Sequence, residues 1–107
     1  QVEMHHYEPL FKDMRQDKRL LDLFTDVMTE FDEAPRILPD DEADGSTDVG
    51  NVSYEVPTAQ PTLQIGLGLE AHTPEFTCAA GSDYGLAQAI KGAKIMAVVA
   101  LRYAMCK

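Results

Sequence analysis

The chain has 107 residues, 45% hydrophobic and 25% charged, which is the balance of a soluble globular domain with a modest core. Eighteen acids against nine basic residues leave a net charge of -9. That excludes nucleic acid and anionic membrane as expected partners, because both require positive surface.

The opening stretch alternates, with Val2, Met4 and His6 on one side and Glu3, His5 and Tyr7 on the other. This predicts a short strand over about 2–7, ended by Pro9. His5 and His6 are adjacent, so on a strand they point opposite ways and cannot chelate one ion. From about 17 to 31 the period changes. Leu20, Phe24, Val27, Met28 and Phe31 follow helical spacing, with Asp17 as the expected N-cap. The acidic stretch after it, punctuated by Pro35 and Pro39, reads as a solvated loop. Asp40, Glu42, Asp44 and Gly45 match the first positions of a calcium loop. The twelfth position is Asn51 instead of a bidentate Glu, and a calcium site is rejected. The run "GSTDVGNVS" (45–53) is small and polar, either a surface loop or backbone shaped to hold something.

A second short strand is expected over about 62–66, where Leu63 and Ile65 alternate with polar or small residues. "GLGLEAH" lacks the Lys and the spacing of a phosphate loop. Pro74 forces His72 and Thr73 out of helical geometry and opens a new segment. A long final helix runs from about 83 to 105. Leu86, Ile90, Ala93, Ala97 and Leu101 are expected to form its core stripe, and Gln88, Lys91, Lys94 and Arg102 a narrower polar one. Its apolar run Ile95 to Leu101 is too short to span a bilayer, so no membrane partner is expected. The helix has more apolar surface than the rest of the chain can cover, so a homo-oligomer is expected. Cys78 and Cys106 make no disulfide framework, and reduced thiols fit a cytoplasmic protein. No signal-peptide pattern opens the chain, and its first residue, Gln1, suggests a piece of something longer. His72, past a predicted strand end with a carboxylate near, is a candidate metal ligand. The plainer reading is a loop histidine bonded to backbone.

Two stretches, "GSTDVGNVSYEVPTAQPTLQIG" and "AHTPEFTCAAGSDYGLAQAIKGAKIMA", resemble the C-terminal part of the dinuclear-metal amidohydrolases of the aminoacylase and carboxypeptidase type, most closely the aminobenzoyl-glutamate hydrolase-like branch. The resemblance covers about residues 45–101. It implies an α/β fold: the C-terminal portion of a metallopeptidase-like catalytic domain over 10–107, with 1–9 as the end of an inserted lid domain or a linker strand. It implies that His72 is the family's last ligand to zinc or another divalent metal, in a His-x-x-acid pattern with Glu75. The loop with Ser46, Thr47 and Asp48 would border the substrate cleft. Relatives often carry Arg two residues after the Asp of this loop. Gly50 stands there, so this loop is not expected to grip a substrate carboxylate. The parent would hydrolyse the amide bond of an N-acyl or aminobenzoyl amino acid or a small peptide. The remaining ligands and the catalytic Glu would lie outside this chain, which alone should be inactive. The alternative is a small non-enzymatic module that self-associates through its apolar final helix.

Overall fold

The computed structural model describes residues 1–38 and 45–105. The acids at 40, 42 and 44 and Cys106 lie outside the described residues. Four helices follow in chain order: α1 (Lys18–Glu30), α2 (Val49–Val52), α3 (Pro74–Ala80) and α4 (Asp83–Met105).

α1 begins where its cap permits. Asp17 is extended, and its carboxylate accepts the Leu20 N–H at 2.9 Å, satisfying one of the helix's free donors. The Asp17 N–H is tied to Thr58 O at 2.8 Å, so the same residue anchors the helix to the later chain. At the other end Asp32 takes a left-handed φ of 59°. Its N–H donates to Thr29 O and the Glu33 N–H returns to Met28 O. This paired closure satisfies the last carbonyls and throws Glu33 back toward the helix body.

Val27 and Met28 of α1 meet Ile95 and Val99 of α4 in the core. Leu20, Leu23, Phe24, Phe31, Leu63 and Val98 pack around them, half-buried. α3 lies against the start of α4, separated from it by Gly81 and Ser82. The Ser82 hydroxyl accepts the Gly85 N–H at 3.0 Å and caps α4. Gly85 is required there, because an added Cβ would sit 2.3 Å from Ala79 O.

Two expectations are corrected. The α/β class does not hold: among the described residues there is no strand. Residues 2–7 are exposed throughout, and among the described residues no second segment exchanges ladder hydrogen bonds with them. Residues 62–66 do turn Leu63 and Ile65 inward, but they too lack a partner strand. Alternation describes which side chains point inward; a strand also needs a neighbour's backbone. The second correction concerns the orientation of α4. The predicted core stripe faces outward, with Leu86 55%, Ile90 61% and Leu101 65% exposed. The inward face carries Gly85, Gln88, Ile95 and Val99, with Lys91 and Arg102 beside them. By length and composition alone, α4 is long and apolar enough to cross a membrane.

Candidate functional site

The loop 45–53 acts first on its own chain. Asn51 Oδ1 accepts the Lys12 N–H at 2.7 Å, and its Nδ2 donates to Leu10 O at 3.1 Å. Ser53 Oγ accepts the Arg15 N–H at 2.9 Å and donates to Gly50 O at 2.6 Å. A Cβ on Gly50 would lie 2.0 Å from Lys12 O, inside any allowed contact. The run is small because the backbone of residues 10–15 lies directly on it. Lys12 and Arg15 then stack on the ring of Tyr54, at 4.6 and 3.9 Å from its centre. At position 50 no side chain fits without moving the backbone of Lys12.

The three cleft candidates take local roles. Thr47 Oγ1 accepts the Val49 N–H at 3.3 Å, opening the single turn of α2. Asp48 holds the N-cap position, yet its carboxylate makes no cap bond and is exposed. Ser46 is exposed as well.

His72 occupies the corner before α3. Its φ of 64° is the left-handed region, sparsely used by non-glycine residues and tolerated by His more than by most. Thr73 follows in extended geometry and caps α3, its hydroxyl accepting the Phe76 N–H at 3.2 Å and donating to Glu70 O at 2.7 Å. Pro74 at the first helical position costs no hydrogen bond. Glu75 lies in the first turn, where a carboxylate is favoured by the helix dipole. Both His72 and Glu75 are exposed. No hydrogen bond or ion pair joins either of them to Ser46, Thr47 or Asp48 among the described residues.

Three or more His, Cys, Asp or Glu side chains never converge in a metal-binding group among the described residues. A divalent ion needs more donors than one imidazole and one carboxylate. The donor set present here therefore does not fit a complete metal centre. His72 can at most be one ligand of a centre completed by other residues. Cys78 is an exposed free thiol on α3.

The described residues build instead a polar node between the two long helices. Gln88, 3% exposed, donates from Nε2 to Glu33 Oε1 at 3.2 Å and to Gln64 O at 3.0 Å. Lys91 Nζ pairs with the same Glu33 oxygen. The Lys91 bond holds the Glu33 carboxyl below its ordinary value, against partial burial, with Gln88 helping. Glu33 in turn raises Lys91. About three turns further along α4, Arg102 grips Glu30 through two bonds of 2.7 and 2.8 Å, lowering Glu30. Glu30 and Glu33 were not singled out as site residues in the sequence, and Gln88 was placed on the polar stripe rather than inward. The one signal was a Gln set between two alanines, Ala87 and Ala89, on α4. Beside this node an apolar groove of about 490 Å³ runs between α1, residues 59–65 and α4.

No family model matches the chain, and no solved structure matches it. Over 57 residues it is 44% identical to the Xaa-Arg dipeptidases of Mus musculus and of Homo sapiens. The chain is similar to peptidases. The matched stretch covers 53% of this chain and 13% of each relative, so the chain spans only a small part of the relatives' length. The similarity supports a peptidase or amidohydrolase relationship and nothing finer.

Proposed function

We propose that this chain is the C-terminal portion of a metal-dependent peptidase or amidohydrolase, and that His72 supplies one ligand to a divalent ion whose other ligands lie outside these 107 residues. The observation that carries the reading is the 44% identity to two dipeptidases. It is supported by the corner at 72–75, where an exposed imidazole and a carboxylate sit on either side of a capped helix start. The strained backbone at His72 is consistent with a residue kept for its side chain, since Gly would relieve the conformation. Hydrolysis of an amide bond in a small peptide or N-acyl amino acid is the activity proposed for the longer protein. Zinc is the metal proposed, because imidazole and carboxylate suit it. In this reading the 45–53 loop, with Gly50 in place of an Arg, does not clamp a carboxylate, so a substrate's free carboxylate would be held elsewhere.

A chimera tests this. The matched segment of the mouse dipeptidase is replaced by the corresponding residues of this chain, and dipeptide hydrolysis and bound zinc are measured. Activity is expected to survive the exchange and to fall at least roughly a hundredfold with His72→Ala, with metal content lowered. A chimera whose His72→Ala form keeps its zinc and turnover would remove His72 from the site. The chain by itself is expected to bind no zinc tightly and to hydrolyse no dipeptide, by calorimetry and by product assay.

A further inference from the structure

We propose that Lys12, Arg15 and Tyr54 form a binding site for a carboxylate, at the exposed edge of the contact between residues 10–15 and 50–53. The proposal rests on this chain's own residues and does not depend on the peptidase reading. All three residues are exposed.

The pattern of ion pairs carries it. The chain has 18 acids for nine bases, so carboxylates are plentiful. Lys18 pairs with Asp22, Lys91 with Glu33 and Arg102 with Glu30. Lys12 and Arg15 differ. Among the described residues their charged groups form no ion pair and no hydrogen bond. This holds although Asp13 adjoins Lys12 and Glu55 adjoins Tyr54 in the chain. What the two cations share is one ring. Lys12 Nζ lies 4.6 Å and Arg15 Cζ 3.9 Å from the centre of Tyr54. Two like charges held at one ring repel each other, and an anion beside them offsets that repulsion.

The three side chains are also tied together through backbone. The Lys12 N–H donates to Asn51 Oδ1 at 2.7 Å and the Arg15 N–H to Ser53 Oγ at 2.9 Å. The roots of both cations are thus fixed to the segment that carries the ring. This lowers the ordering cost of binding. A guanidinium lying over a ring keeps the N–H groups at its perimeter open, in the fork that matches the two oxygens of a carboxylate. The ammonium adds a point charge beside it. A net charge of -9 disfavours polyanions, so a single carboxylate is the fitting class. Such a group is carried by the C-terminal end of a peptide or by an Asp or Glu side chain, and the chemistry of the grip is the same.

Titration of the 107-residue chain, followed by NMR at the Tyr54 ring and the Arg15 Nε–H, tests the site and separates the two sources. The probes are N-acetyl-glycylglycine, with only a C-terminal carboxylate, and N-acetyl-glutamate α-amide, with only a side-chain one. Saturable shifts in the millimolar range are expected, and the tighter probe identifies the source. N-acetyl-glycylglycine amide should produce none. Lys12→Ala and Arg15→Ala should each weaken binding roughly threefold or more. Lys94→Ala removes an exposed cation with no ring beside it and should leave binding unchanged. Circular dichroism checks that each variant keeps its helices, as expected for exposed side chains whose backbone N–H bonds remain. No saturation below about 100 mM of either acid would overturn the proposal. So would equal binding of the amide, tighter binding of inorganic phosphate, or a folded Arg15→Ala chain with native affinity.

Discussion

At the scale of single residues, the chain uses its small and polar side chains to hold backbone. Gly50 is the sharpest case. An added methyl must displace the Lys12 carbonyl, which is main chain and cannot rotate away. Gly50→Ala is expected to cost about 1–3 kcal/mol, in the range of core overpacking. Thermal unfolding measures this, and an unchanged midpoint would mean that residues 10–15 lift off without consequence. Local roles were legible in the sequence. Asp17 caps α1 and Pro74 starts a segment because each acts within a turn of its own position. Gly50 was not legible, because its constraint comes from a residue 38 positions earlier. Asn51 and Ser53 were missed for the same reason.

Between elements, the packing of α1 on α4 inverted the reading of α4. Sequence reasoning assigns the Leu-Ile-Ala stripe to the core and the Gln-Lys-Arg stripe to water. The structure turns Gln88, Lys91 and Arg102 of the second stripe toward α1, leaving Lys94 exposed, because α1 ends in Glu30 and Glu33, which give Arg102 and Lys91 their partners. Ile95 and Val99, lying along the same face, supply the apolar contact. A periodicity identifies a face but not what the neighbouring helix offers it. The pairs make stability depend on pH at both ends. Glu30 and Glu33 titrate below their ordinary 4.5 in the fold, so their contribution is present above that value and is lost as pH falls through the lowered one. Lys91 titrates above 10.5, so its contribution is present below that value and is lost as pH rises through the raised one. Glu33→Gln should lower the unfolding midpoint by a few degrees at neutral pH. The difference from the native chain should close at acid pH, where Glu33 itself is protonated. Salt should weaken the Glu30–Arg102 pair more, since both its groups are largely exposed.

Taken as a whole molecule, the chain is extended for its length, with a radius of gyration of 16.5 Å against about 13 Å for a compact domain of this size. Both predicted strands fail here for one reason: their side-chain alternation is present, but no other stretch among the described residues supplies a ladder. The corner at His72 was legible as a corner. Its chemistry depends on donors that the described residues do not bring to it. The clasp of residues 10–15 on 50–53 has a topological consequence. Together with α1 against α4, it fastens the part of the chain before Leu38 to the part after Gly45 on both sides of the connection. A cut after Arg36 should therefore leave both the clasp and the packing of α1 on α4 in place. Brief trypsin digestion that cuts after Arg36 is expected to yield two fragments that travel as one species on a native gel and separate only in detergent. The nicked protein should keep its helical signal, and after dissociation the two fragments should regain it only when mixed. Fragments that part without denaturant would mean that the covalent link, rather than the clasp, keeps α1 in place.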